Sequence, residues 1–302
     1  MALKDIKAKI QATKRMNTVT RAMEAVSAVK MRKTQAQAFD GRAYARAALS
    51  VLTRLAGTRI VKEHTLGKDR EVKRVALVII TSDRGLAGSL NSSVLKKAME
   101  EIAPYKKEDV TVFAYGDKGE QHFSRRGFEV RESMQNKADT IEVETMQDLS
   151  ESVVRGFIAG DYDKVVTVYS HFVSTFEQNP VVRRLLPLSL PAITEIVEGI
   201  VPARGKWASD ISVEAPAHYT VEPEAETVLD LLLPRLVAVS LYHMLLESKA
   251  SEHSARMVAM KNASDKSKEV ARDLTRIYNK VRQAAITREV SEIVSGREAL
   301  ST

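Results

Sequence analysis

The chain has 302 residues, of which 44% are apolar but only 5% aromatic, and it carries a formal net charge of +7. It has no cysteine, which excludes disulfides, thiolate metal sites and cysteine nucleophiles. His64, His122, His171, His218, His243 and His253 show no HExxH or other close ligand spacing, so a histidine-built metal centre is not expected.

The charge divides unevenly. Residues 1–59 carry 13 Lys/Arg against three Asp/Glu, residues 60–234 carry 21 against 28, and residues 235–302 carry 12 against eight. Two basic ends around an acidic middle suggest that the ends meet something negative. The start, Met1-Ala2-Leu3-Lys4-Asp5-Ile6-Lys7, has no apolar signal-peptide core, and no run of about 18 apolar residues occurs. The expectation is a soluble intracellular chain with no membrane span.

Helix breakers set out the architecture. No proline precedes Pro104, the only glycine before Gly57 is Gly41, and from Arg235 to Ser295 there is neither. Proline costs a helix about 3 kcal/mol and glycine about 1 kcal/mol, so such stretches suit uninterrupted helices. The first, from Leu3 to about Ala56, would run roughly 80 Å. Its apolar positions are Leu3, Ile6, Ile10, Met16, Val19, Met23 and Val26, then Leu49 and Leu52, interrupted by Thr13, Asn17 and Thr20.

The middle reads as α/β. Arg74–Thr81 is a continuous apolar run of buried-strand type, followed by a turn over 82–91 and a helix over Ser92–Ile102. Val110–Tyr115 is a second strand, with a helix near 117–125 and another near 146–158. Lys164–Val173 is a third strand, and the run from Val181 to Leu188 reads as an edge strand because Pro187 removes a donor. Strands alternating with helices indicate a small, Rossmann-like domain with a mainly parallel sheet over 72–195. Residues 196–222, with Pro202, Gly205 and Pro216, read as a loop-rich connection.

In the last segment Val270, Leu274, Ile277, Val281 and Ala284 step by 4, 3, 4 and 3, and Ile286, Val290 and Ile293 by 4 and 3. This is a two-per-heptad seam. Neither terminal helix (1–58 and 223–302) can stand alone on so narrow a stripe, so the two are expected to pair as an antiparallel coiled coil. With residue 56 set beside residue 235, Leu3 falls near residue 288 and the last turns project past their partner.

Catalytic and nucleotide motifs are absent. Gly85-Leu86-Ala87-Gly88 does not make GxGxxG, and Gly199–Trp207 misses the P-loop by one spacer and a hydroxyl. A phosphate site at 82–91 is the sharper reading of that turn, and a plain helix start the blander one. Asp83 and Arg84 are expected to pair locally or meet a partner. Basic helices also suit nucleic acid, but aromatics for base stacking are few there and no recognition motif appears, so nucleic acid is not an expected partner.

Several blocks carry a family resemblance. Ala22-Met23-Glu24 with Lys30-Met31-Arg32-Lys33, the run from Ser254 to Ala263, and above all Tyr278–Gly296 resemble the gamma subunits of rotary F-type ATP synthases. Thr81–Asn91 resembles the family's first strand–turn, departing at Ala87, where cysteine is frequent, and at Ser89, usually glycine. The resemblance implies a non-catalytic central-stalk shaft inside a ring of alpha and beta subunits. The epsilon subunit and the membrane c ring would lie at the α/β-domain end. It also implies that Mg-ATP and Mg-ADP bind the alpha and beta partners, with no cofactor on this chain, and that Met23, Arg282 and Gln283 contact the beta subunits. Small and apolar residues such as Ala284, Ala285 and Val290 would form a bearing. Membrane association would be indirect, on the cytoplasmic face of a bacterial plasma membrane or an equivalent organelle face. The other classes weighed are an α/β nucleotide-binding enzyme and a basic coiled-coil adaptor.

Overall fold

A computed structural model describes residues 3–56, 64–137, 144–188 and 225–300. The expected connection over 196–222 and the P-loop-like stretch 199–207 lie outside the described residues. The elements in chain order are α1 (Leu3–Ala56), β1 (Val75–Ile80), α2 (Leu90–Ile102), a 3-10 turn at Lys107–Asp109, β2 (Val110–Tyr115), α3 (Asp117–Ser124), β3 (Glu129–Met134), α4 (Glu144–Ala159), β4 (Lys164–Phe172), β5 (Gln178–Leu186) and α5 (Ala225–Leu300). The chain divides into two compact units, one of residues 1–27 with 256–302, the other of residues 28–255.

The larger unit is built on a five-stranded sheet of order β3-β2-β1-β4-β5. The first four strands are parallel and β5 is antiparallel to β4. All six residues of β1 and all six of β2 are buried, as central parallel strands covered on both faces require. Strand β3 was not expected. Its sequence, EVRESM, alternates exposed with half-buried positions, which is the pattern of a solvated edge and not of an apolar run. The other edge, β5, starts three residues earlier than expected. It carries Pro180 within the strand, while Pro187, the residue that suggested an edge, lies just beyond it.

One face of the sheet carries α2 and α3, whose Val94, Ala98, Ile102 and Phe123 pack on Leu77, Ile79, Val112 and Ala114. The opposite face carries α4 and the first third of α5, where Leu233, Leu236, Val237, Leu241 and Leu245 meet Val78, Ile80 and Tyr169. From Leu236 to Ser251 every residue of α5 but Tyr242 is buried, polar residues such as His243 and Glu247 included, so this stretch is a core helix. The same helix contains a window of mean hydropathy 1.6, long enough to cross a membrane, of which 61% is buried within the protein. Helix α5 also begins ten residues before Arg235, with Pro234 inside it.

The smaller unit pairs the first 25 described residues of α1 with α5 from Arg256 onward as an antiparallel coiled coil. Asn17 fixes their alignment: its Nδ2 donates to the backbone carbonyl of Ser264 (2.6 Å) and to its Oγ (3.0 Å). Carried down the helix, this sets Leu3 opposite residue 278 and not 288. The observed register is thus ten residues from the expected one.

Candidate functional site

The seam of the helix pair is not the apolar stripe expected from the sequence. On α1 the shielded positions along the seam are Leu3, Ile6, Ile10, Thr13, Asn17, Thr20, Glu24 and Ser27, a heptad line that passes through the three polar residues read as interruptions. On α5 the line is Met260, Ser264, Ser267, Ala271, Leu274, Tyr278, Val281 and Ala285. Of the eight residues expected there, only Leu274 and Val281 fall on it. Val270 and Ile277 face outward, Ile277 being 49% exposed, and Ala284 is exposed too.

Small and hydroxylated side chains work in this seam because they satisfy themselves. Thr13 donates to the Lys9 carbonyl, Thr20 to Met16, Ser27 to Met23 and Ser267 to Ala263, each four residues back at 2.7–3.0 Å. Such a seam buries little apolar area, so it stabilises the pair less than a leucine seam would.

The large apolar side chains lie outside instead. Met16, Val19, Met23 and Val26 step by 3, 4 and 3 along an outer stripe of α1, with Met16, Val19 and Val26 each more than half exposed and Met23 half-buried. From Ile286 to Arg297 every residue of α5 is exposed, including Ile286, Val290, Ile293 and Val294. Scattered exposed apolar residues are ordinary, but a contiguous stripe of them around a polar seam marks a surface made to be covered.

Met23 lies on this outer stripe, and Arg282 and Gln283 are exposed. The structure does not bring the three together. In the observed register Met23 stands opposite Val258, 24 residues from Arg282, or about 36 Å along the helix. They define two separate levels of the coiled coil. Ala285, expected to face outward with Ala284, is half-buried on the seam line.

In the larger unit, the C-terminal ends of β1 and β4 flank the crevice where open α/β sheets place their ligands. On the other side of β1, the protein's own polar groups tie the C-terminal ends of β1, β2 and β3 together. Asp83 Oδ1 accepts the N–H of Asp117 (3.0 Å) and of Asn136 (2.9 Å). The Asn136 amide donates to the Thr81 carbonyl, and Asn91 exchanges hydrogen bonds with Ser82 at 3.1 and 2.7 Å. Gly116 has φ +105°, and a Cβ there would stand 2.1 Å from the Thr81 carbonyl oxygen, so β1 and the turn after β2 close on each other. The Ser82–Asn91 segment is a locked turn and helix start. Asp83 also lifts the Tyr115 hydroxyl, pushed up to about 12 first by burial and then by that charge. Among the described residues no group of His, Asp and Glu is placed to hold a metal ion.

A second polar cluster fastens α5 to the sheet. His171 Nδ1 meets Glu247 Oε2 at 2.8 Å, and the Tyr169 hydroxyl is held well above its ordinary pKa first by burial and then by the Glu247 charge. Ser251 donates to the Ser170 carbonyl (3.0 Å) and Ser254 to that of Thr175 (2.6 Å). Sequence reading missed this cluster, because isolated polar residues inside an apolar helical run have no spacing signature.

A family model described as ATP synthase matches residues 2–300. The chain is 43% identical over 302 residues to the ATP synthase gamma chain of Roseiflexus castenholzii, covering 99% of this chain and 98% of that one. It is 41% identical over 305 residues to that of Chloroflexus aurantiacus, covering 99% of each. Among solved structures it is similar to a chain of the Tetrahymena thermophila mitochondrial ATP synthase central stalk and c ring, with TM-score 0.62, 29% identity, and coverage of 82% of this chain and 99% of that one. A Euglena gracilis mitochondrial ATP synthase chain shares the fold, with TM-score 0.65 and 16% identity over 99% of this chain and 94% of that one.

Proposed function

The chain belongs to the family of ATP synthase gamma chains, the central stalk of the F-type enzyme, and from that premise we propose how its surfaces do the work. The observation that carries the reading is the inverted coiled coil, polar along its seam and apolar on its outer stripes. A shaft of this kind is covered by its surroundings and not by itself. Alpha and beta subunits encircle it, and the exposed apolar end of α5, with no polar partner to lock it at one angle, turns against them as a bearing.

The chain performs no chemistry. Rotation driven by the c ring turns an asymmetric shaft inside the ring of subunits, and its changing sides move each catalytic beta subunit through different affinities for nucleotide. Mg-ATP and Mg-ADP are held by alpha and beta. The ties among Thr81, Gly116 and Asn136 at the ends of β1, β2 and β3 hold the α/β domain together as a mount. That domain takes the epsilon subunit and the c ring, and so holds the chain indirectly at the cytoplasmic face of the membrane or its organelle equivalent.

Met23 contacts a beta subunit at one level of the shaft, and Arg282 with Gln283 at another. Met23→Lys puts a further cation on a half-buried point of the outer stripe. In the complex reconstituted into vesicles, proton pumping per ATP hydrolysed is expected to fall severalfold while assembly persists. Loss of assembly with normal coupling in the surviving complexes would show Met23 to be a packing residue only.

A further inference from the structure

Helix α5 runs unbroken out of the larger unit and enters the smaller one at Arg256. Just before that point, three of its buried side chains are tied at successive turns to β4 and the turn that follows it. Glu247 Oε2 meets His171 Nδ1 at 2.8 Å, Ser251 donates to the Ser170 carbonyl at 3.0 Å, and Ser254 to that of Thr175 at 2.6 Å. Spacings of 4 and 3 put the three on one line along the helix, within an arc of about 60°. Glu247 is 8% exposed and both serines are fully buried.

Two of the three acceptors are backbone, which cannot swing aside as a side chain does. The pairing of β4 with β1 ends at Val168, and Pro180, opposite Ser170 on β5, has no N–H to offer, so the Ser170 carbonyl is open to Ser251. Thr175 lies in the tight turn between β4 and β5, closed by hydrogen bonds between Ser174 and Glu177 at 3.0 and 3.3 Å. On the far side of α5, about 160° round from this line, the buried Lys249 reaches the Asn136 carbonyl at 3.5 Å.

The rest of the contact is apolar, with Leu241 and Leu245 in the core beside the sheet. Apolar burial is non-directional, so it resists separation but opposes a roll of the helix about its own axis only weakly. The hydrogen bonds oppose it directly. They sit about 5 Å from the axis, where a roll of about 20° moves an oxygen by about 2 Å, beyond hydrogen-bond range. A buried serine adds less adhesion than a leucine would; what it adds is a fixed angle.

We propose that Glu247, Ser251 and Ser254 are positioning residues that lock the rotational angle of α5 to the α/β domain, so that torque passes between the domain and the coiled coil without the helix rolling in its seat. This rests on the shaft reading and assigns the torque-bearing contact inside the chain to named hydrogen bonds.

The test uses the complete complex, with the alpha–beta ring fixed to a surface and a gold rod attached to the α/β domain through Gln121→Cys, an exposed position in a chain without other thiols. The angular variance of the rod is recorded without nucleotide. Glu247→Gln, Ser251→Ala and Ser254→Ala combined are expected to raise that variance severalfold. In vesicles the same variant is expected to keep its ATP hydrolysis, while proton pumping per ATP falls severalfold as the opposing gradient builds. Leu245→Ala loosens the same stretch of core without removing a tie; it is expected to lower the unfolding midpoint and leave variance and pumping alone. Unchanged variance in the triple variant, or an equal rise in the leucine variant, overturns this proposal alone. If the triple variant does not assemble, Ser251→Ala carries the same comparison, with a smaller rise expected and no rise overturning the proposal. A rod that does not turn during ATP hydrolysis by the complex carrying Gln121→Cys alone overturns the shaft reading and this proposal with it.

Discussion

At His171 the ring nitrogen Nδ1 faces the Glu247 carboxylate of α5, and that hydrogen bond raises the histidine pKa against the opposing effects of burial and the Arg183 charge. A histidine that holds its proton more tightly when folded contributes its full stabilisation below its unfolded value of about 6.5. That contribution is lost as pH rises through the higher folded value. Glu247→Gln is therefore expected to cost about 1–3 kcal/mol near pH 5.5 and distinctly less near pH 9, read from denaturant unfolding at the two pH values. Equal losses at both would mean that Glu247 serves Tyr169 and Arg183 and not the imidazolium. This pair was not legible in the sequence, since β4 and α5 bring together residues 76 positions apart. Asp83 was half legible: the turn chemistry of Ser82–Asn91 was expected, but its grip on Asp117 and Asn136 depends on how the ends of β2 and β3 arrive beside it.

The central strands were readable because a buried parallel strand is apolar at every position, as Val75–Ile80 is. Strand β3 was not, because a solvated edge has too few apolar residues to count. The seam was misread for a related reason. Choosing the largest apolar side chains picks out Met16, Val19, Val270 and Ile277, but a heptad line is defined by position, and here it is filled by threonine, serine and alanine. The two assignments differ in a measurable way. Leu274→Gln, on the observed seam, is expected to destabilise the helix pair by about 1–2 kcal/mol, half the worth of a fully buried leucine. Ile277→Gln, on the outside, should stay within about 0.5 kcal/mol. Amide exchange across residues 256–285 in the full chain reports both. Exchange in the Ile277 variant as fast as in the Leu274 variant would restore the expected seam, on which both residues lie.

For the whole molecule, the absence of breakers located both long helices and the family blocks placed them in a rotary machine. The register did not follow, because breaker positions bound the helices without saying which residues face each other, as Asn17 and Ser264 do. The basic ends around an acidic middle are visible in composition, while the ties from α5 to β4 exist only once helix and sheet are packed. The central claim is that this chain turns inside its partners. Since it contains no cysteine, Ala284→Cys supplies a single thiol on the exposed side of α5, and Val26→Cys one on the outer stripe of α1 where both helices are paired. Each is joined in turn by a disulfide to a beta subunit of the assembled complex, and multi-turnover ATP hydrolysis is measured before and after reduction. Rotation predicts that turnover falls at least about tenfold on cross-linking, more completely at Val26 where the shaft is two helices thick, and recovers on reduction while nucleotide still binds. Unchanged turnover with both positions tied would contradict it and leave the chain a static scaffold.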